Sequence, residues 1–317
     1  MPLPTDPRAL ALGKDLVQAF DNVNGLHPGY RPAHAKGIMF SGVFAPSREA
    51  SSLTRALHAQ QASTPITVRF SDFAGIPSVA DNDAEHASPR GIAIRFHLSE
   101  RAHTDIIGHS VDGFPVRTAE EFLALLQALQ SSGPAAPKPT PIESFLAAHP
   151  KALQFIQTPK PIPSSFARES FYSVNALKFT NREGASRFGR YRILPEAGND
   201  PLDAAAAAAK GPNFLFDEIA ARVAAGPVKF HIRVQAAAAG DVVDDATISW
   251  PSDRPQIPFG TVTVTQRVAN DADEQRQIIF DPIPRTDGID PSNDPLLEPR
   301  ATVYLLSGRR RRAAGAH

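Results

Sequence analysis

The sequence predicts an α+β fold: a closed antiparallel β-barrel of about eight strands, with helices inserted between the strands and flanking them. Three observations lead there. Short runs alternate apolar and polar residues with the period of two that marks a half-buried strand. Stretches with helical spacing fall between those runs rather than at one end of the chain. Prolines number 30 in 317 residues, well above the usual ~5%, and so many fixed-φ positions favour short elements over a helical bundle.

Residues 8–23 place Leu12, Leu16, Val17, Phe20 and Val23 on the apolar face of one amphipathic helix. A strand-like run at 37–45 leads into a polar helix expected over 47–61. At 66–71 the alternation is strict: Ile66, Val68 and Phe70 face one way, Thr67, Arg69 and Ser71 the other. Residues 91–98 repeat the pattern through Ile92, Ile94, Phe96 and Leu98, and 104–110 is expected to pair with them. Thr118 and Glu121 form a capping box ahead of Phe122, Leu123, Leu125, Leu126 and Leu129, a strong helix start. The Pro-, Ala- and Gly-rich stretch 132–141 reads as a surface linker. Beyond Pro159, Pro161 and Pro163, strands are expected at 171–179 and 189–194, and helices at 204–209 and 214–225, divided by Gly211-Pro212. Strands follow at 228–236 and 260–267, and 291–312 reads as a loop, a helix and a basic tail. At ~150 residues per domain the length allows two domains or one large barrel.

Composition narrows the function. Lys and Arg number 33, Asp and Glu 33, so the net charge is zero, which excludes a partner such as nucleic acid held by overall charge. Hydrophobic residues make up 42%, enough for a substantial core. The chain has no cysteine, which excludes disulfides, Cys-ligated zinc, iron–sulfur clusters, thiolate metal ligands and a cysteine nucleophile. The first residues hold neither the ~7–15-residue apolar core of a signal peptide nor the ~20 residues of a membrane span, so the cytoplasm is the expected location.

Three segments could carry chemistry. In RPAHAKG, residues 31–37, His34 sits among small residues just ahead of a strand; alone it is as well read as a surface or packed histidine. In TPITVRFSDFAG, residues 64–75, Arg69 and Ser71 share the strand face opposite the aliphatic residues. A solvated outer face explains them, whereas an inward arginine needs an anion. In DPLLEPRATVY, residues 294–304, Arg300 and Tyr304 are one helical turn apart. A guanidinium beside a phenol favours the phenolate, a hard oxygen ligand for ferric iron; ordinary helix packing is the alternative. Pro299 requires that this helix begin near Glu298. The run 309–312 reads as a solvated tail or a nucleic-acid patch.

With SPRGIAIRF (88–96), SVNALKFTN (173–181) and the FDP…RATVY stretch (280–304), these segments resemble, in order and spacing, the haem catalase superfamily, particularly its short catalase-related peroxidases. The resemblance runs from about Gly25 to Arg311. It implies a haem b buried beside the barrel in a domain spanning 25–312, with an N-terminal helical arm at 1–24 and a tail at 313–317. It implies His34 as the distal histidine, Ser71 as the serine orienting it, and Tyr304 as the iron ligand held ionised by Arg300. Arg31, Arg69 and Arg311 match the arginines that neutralise the haem propionates. Phe122 falls where a phenylalanine stacks near the haem, and Phe114 lines the approach. The pattern breaks at GHSVDG, 108–113, where larger catalases read a GNNTP-like sequence: His109 stands at the position of the distal asparagine.

The function this resemblance implies is reduction of hydrogen peroxide or organic hydroperoxides by a small organic electron donor, with weak or absent catalase activity. Its rivals are hydroperoxide rearrangement, as in catalase-like allene oxide synthases, and a non-catalytic haem carrier. Peroxide and the donor are the expected partners. No nucleic acid or membrane is expected, and a homodimer is the assembly carried forward.

Overall fold

A computed structural model describes residues 3–315. The start of the arm (1–2) and the end of the tail (316–317) lie outside the described residues.

Eight strands close the barrel. They are β1 (Gly37–Pro46), β2 (Thr64–Ser71), β3 (Gly91–His97), β4 (His103–His109), β5 (Phe171–Tyr172), β7 (Ser186–Pro195), β8 (Val228–Ala236) and β9 (Gln256–Arg267). Their order is β7-β5-β4-β3-β2-β1-β9-β8, and the pairing of β8 with β7 seals the ring. Two short strands lie beside the ring: β6 (Leu177–Thr180) pairs with the first residues of β7, 186–189, and β10 (Ile289–Pro291) pairs with β6. Alternation directs Phe40, Phe44, Phe70, Phe96, Phe230 and Phe259 into the interior, where none is measurably exposed. Each such phenylalanine contributes about 1.5–3 kcal/mol by burial.

The register places the functional candidates. Gly37 pairs with Ser71, Ser71 with Gly91, Gly91 with His109, and His109 with Tyr172. Partners directly opposite in antiparallel strands share a sheet face. These positions therefore form one row across five strands, outside the barrel. A second outward row runs from Arg69 to Ala93 to Ile107.

Helices cover this outer face: α1 (Pro7–Asn24), α3 (Ala119–Gln130) and α9 (Leu297–Ala314). Leu16, Ala19 and Phe20 of α1 pack with Ala119 and Leu126 of α3, and Val303 of α9 joins them. Gly13 lets α1 approach α9, since a Cβ there would overlap the Thr302 side chain. So Arg69 and Ser71 do lie on an outer barrel face, as the solvated reading required, but the face is not solvated; they are 3% and 4% exposed.

Several elements depart from the sequence reading. The helix expected over 47–61 stops as α2 (Arg48–Leu53), followed by a short 3₁₀ turn at Leu57–Ala59. The cause is Thr54, buried and extended, whose hydroxyl donates to the Gly288 carbonyl at 2.6 Å. The strand expected over 171–179 is two strands, β5 and β6; between them the chain leaves the ladder so that Asn175 reaches Asp294 and Arg300. The linker ends at a helix start: Thr140 and Glu143 make a second capping box for α4 (Pro141–Ala148), and α5 (Pro150–Gln157) follows. α6 (Ala204–Ala208) and α7 (Phe214–Ala225) agree with the sequence, whereas α8 (Asp271–Gln277), too polar to show apolar periodicity, was not expected. The basic tail is no tail. α9 continues to Ala314, with Arg310 paired to Asp21, Arg311 buried, and Arg312 donating to the Gln277 carbonyl.

At Gly42 the β1–β9 register shifts by a bulge, and a Cβ would overlap the Thr263 carbonyl oxygen. Gly42→Ala is expected to destabilise the chain by about 1–3 kcal/mol, read as a lower urea midpoint at unchanged slope.

Candidate functional site

The outer rows of the barrel and the covering helices enclose a cavity of about 230 Å³. One water needs only ~15 Å³ on the same scale, so the space suits a bound group rather than peroxide alone. His34, Ser71 and His109 line it, as do Arg31, Arg69 and Arg311. Phe114, Phe122, Arg300 and Tyr304 complete the set: every candidate named from the sequence faces this one cavity.

His34 sits just before β1 in a left-handed conformation, φ 56°, which is unusual outside glycine. Two backbone bonds hold it there, His34 N to Phe73 O at 2.6 Å and Ala35 N to Ala74 O at 3.0 Å. Its Nδ1 lies 3.1 Å from Ser71 Oγ, and Phe73 packs edge-on against the ring at 5.4 Å. Gly91 leaves the room this requires, because a Cβ there would sit 2.6 Å from Ser71 Oγ and 2.8 Å from His34 Nδ1. Burial, then the positive charge of Arg69, hold the imidazole neutral by lowering its pKa to about 3.

His109 ends β4. The Val111 amide donates to its Nδ1 at 3.3 Å, so the neutral ring carries its proton on Nε2. Burial and Arg300 lower its pKa to about 3 as well. Two uncharged imidazoles thus face one cavity, with Ser71 holding Nδ1 of one and a backbone N–H occupying Nδ1 of the other.

Three arginines gather at another wall. Arg69 donates to the His34 carbonyl at 2.8 Å and to Gln275 Oε1 at 2.8 Å. Arg311 donates to Ser307 Oγ and to the Ile278 carbonyl, both at 2.8 Å, and Arg31 reaches the same carbonyl at 3.3 Å. Among the described residues these acceptors are all neutral, and Arg311 Nε is buried without a partner. Burial and mutual repulsion pull all three below the ordinary guanidinium range. Guanidinium groups nevertheless stay protonated in proteins. Three cations out of water without a bound carboxylate call for an anion.

Arg300 and Tyr304 lie one turn apart on α9, which begins at Leu297, so Pro299 falls in the first turn where its missing N–H costs no hydrogen bond. Arg300 donates to Asn175 Oδ1, and Asn175 Nδ2 donates to Asp294 Oδ2 at 2.8 Å. The structure thus anchors Arg300 through Asn175. Phe122 packs against Phe20 and Phe114, at centroid distances of 5.6 and 5.2 Å, closing the apolar side.

These residues fit a ferric haem. Apolar walls suit a macrocycle, the arginine cluster suits two propionates, and the orphaned Arg311 Nε supplies a donor. Among the described residues no group of three or more His, Cys, Asp or Glu side chains could hold a metal. An iron here therefore needs a ligand frame of its own, to which Tyr304 can add an oxygen.

Sequence reasoning missed Gly91, Phe73, Asn175, Gln275 and the Ile278 carbonyl. Of these, Phe73, Gly91 and Asn175 lie in the TPITVRFSDFAG, SPRGIAIRF and SVNALKFTN motifs, the signal that could have drawn attention to them.

Known proteins resemble this chain over most of its length. A family model described as "Catalase" matches residues 16–317. The chain is 34% identical to a catalase-related peroxidase of Mycolicibacterium paratuberculosis, over 92% of each chain. It is 31% identical to a catalase-related peroxidase of Synechococcus elongatus, over 93% of this chain and 87% of that one. Among solved structures, a fungal catalase superposes with a TM-score of 0.79 at 21% identity, covering 93% of this chain and 62% of its own. A bacterial catalase gives 0.78 at 22%, covering 93% and 60%. At those identities the structures establish the fold, and the chain spans about three fifths of their length.

The two cavity histidines set a pH dependence. Their folded pKa values lie below the unfolded value of ~6.5, so the unfolded chain binds more protons between about pH 3 and 6.5. Stability is therefore lost as pH falls through that window. Urea unfolding of the haem-free parent and of His34→Gln/His109→Gln, compared from pH 7 to pH 4.5, is expected to show the parent losing stability relative to the variant as pH falls.

Proposed function

The chain belongs to the catalase family, and on that premise we propose that it is a haem-dependent peroxidase, reducing hydrogen peroxide or an organic hydroperoxide with electrons from a small organic donor. One observation carries the reading. A neutral histidine, a helix-borne tyrosine and three arginines without bound carboxylates converge on one apolar-walled cavity.

Haem b would be held at its propionates by Arg31, Arg69 and Arg311 and at its iron by the Tyr304 oxygen. When bound, it supplies the redox centre through which two electrons pass from donor to peroxide. The balance is donor-H₂ plus hydrogen peroxide giving oxidised donor and two waters.

The chain's own residues handle the protons. Ser71 fixes the His34 ring through Nδ1, which leaves Nε2 to take a proton from one peroxide oxygen. His34 holds that proton and returns it to the departing oxygen, which then leaves as water. A neutral imidazole is what this role needs, and burial beside Arg69 keeps it so. His109 meets the peroxide with the opposite polarity, offering Nε2–H as a hydrogen-bond donor. It replaces an amide, which has both a donor and an acceptor, with a ring that offers only the donor. Weak or absent release of oxygen from two peroxides follows from that replacement. Phe114 and Phe122 exclude water from the reacting oxygens. Among the described residues no helix is long and apolar enough to cross a membrane; the proposal includes cytoplasmic residence and a homodimer.

The test is addition of hydrogen peroxide to the haem-loaded protein, with a reducing dye and an oxygen electrode. Rapid dye oxidation with little oxygen release is expected. Oxygen release without dye oxidation overturns the peroxidase reading. His34→Ala is expected to keep its haem yet lose about 10²–10⁴ in peroxide rate, the usual worth of a positioned acid–base group; an unchanged rate removes His34 from that role. Tyr304→Phe is expected to weaken haem retention and alter the absorption spectrum, and an unaltered spectrum excludes Tyr304 as the ligand.

A further inference from the structure

Behind the wall that carries His34, Ser71 and Gly91 lies a second set of charges that does not line that cavity. Lys36 is two residues after His34, Asp72 one after Ser71, and Arg90 one before Gly91. Asp81 joins them from the connecting loop. Asp72 and Asp81 have no measurable exposure, and Arg90 has 1%. Lys36 Nζ spends its donors on Asp81 Oδ1, the Val79 carbonyl at 2.8 Å and the Pro212 carbonyl at 2.9 Å. Asp81 Oδ2 accepts from the Leu215 amide of α7 at 2.7 Å. Arg90 Nε faces Asp72 Oδ1 at 3.2 Å, and its Nη1 donates to Ser88 Oγ at 2.9 Å.

We infer that Lys36, Asp72, Asp81 and Arg90 are positioning residues for His34, a buried charge clamp that fixes where the three segments of its pocket meet. The inference rests on His34 being the base of the proposed reaction. Two features support it. Buried ion pairs are poor sources of stability and are better suited to fixing one arrangement among several. His34 also holds a left-handed backbone, a conformation that persists only when its surroundings over-determine it. The backbone supplies part of that restraint, because Asp72 N donates to the Lys36 carbonyl at 3.3 Å beside the His34–Phe73 bond. The clamp ties the same segments together from the side away from the cavity.

Asp72 sharpens the picture. Neither of its oxygens accepts a hydrogen bond; burial raises its carboxyl above the ordinary carboxylate range, and the facing Arg90 opposes that rise. The negative charge of the adjacent Asp81 adds to that rise. Lys36 and Arg90 face the pair, with Glu169 and Asp83 acting on Arg90 from further out.

The test compares the parent with Lys36→Met/Asp81→Asn, which removes both partners of the central bridge together and leaves Arg90 facing Asp72. The first readout is the His34 imidazole signal by NMR in the haem-free chain. The parent ring is expected to stay neutral well below pH 6.5, and the variant ring to shift and titrate closer to the ordinary ~6.5. The second is the peroxide rate of the haem-loaded variant, expected to fall about ten- to a hundred-fold, the scale of a displacement of about 1 Å. A folded variant with unmoved His34 signals overturns the inference. Signals that move without loss of rate keep the clamp and overturn His34 as the base. Should the double variant fail to fold, Arg90→Lys, which retains the charge but shortens the reach, is read in the same way; unmoved His34 signals there overturn the inference equally.

Discussion

The site is governed by positive charge that no carboxylate bonds, Asp271 acting on Arg31 and Arg69 only from a distance. Arg31, Arg69 and Arg311 come together under α1 and α9 with only carbonyls, an amide and a hydroxyl as acceptors. Two of them are 3% exposed. An arrangement so unfavourable in isolation becomes favourable once a dianion enters, because each donor then gains a charge-assisted bond. The same positive field has a second effect. It adds to burial, the larger cause, in keeping His34 uncharged, so a group suited to holding a propionate also helps keep the base in the form that can accept a proton. Anion binding and acid–base chemistry are coupled through the short distance between Arg69 and the His34 backbone.

The barrel supplies the precision. Antiparallel register carries one outward row from Gly37 through Ser71, Gly91 and His109 to Tyr172, and small residues in that row leave space where large ones act. Gly91 shows this most directly, since any side chain there would occupy the space of the His34–Ser71 bond. The interior of the barrel is filled with phenylalanines. The cavity must therefore lie outside it, against helices that contribute Phe122, Arg300 and Tyr304.

Much of this was legible in the sequence, for identifiable reasons. Period-two alternation marked β2 and β3 because one face of each packs inside the barrel. The Thr118–Glu121 box marked α3 because its signal is local. Arg300 and Tyr304 could be placed on one helix face by spacing alone. What stayed hidden was long-range. Whether the face bearing Arg69 was solvated depended on helices far away in sequence. Asn175 gains its role only by leaving a strand to meet Arg300, and Gln275 sits on a helix with too little apolar periodicity to be seen. Arg309–Arg312 read as a free basic run because its partners, Asp21 and the carbonyls of Gln277 and Ile278, come from other elements.

The arginine cluster can be tested without turnover, by titrating the haem-free chain with ferric haem and with its dimethyl ester, whose propionates carry no charge. The free acid is expected to bind at least about a hundred-fold more tightly, since about 1.4 kcal/mol gives each tenfold and leaving buried charges unpaired costs about 3–5 kcal/mol. That gap is expected to shrink in Arg69→Met/Arg311→Met. Equal affinity of the parent chain for acid and ester would contradict the assignment of these three arginines to a dianionic ligand.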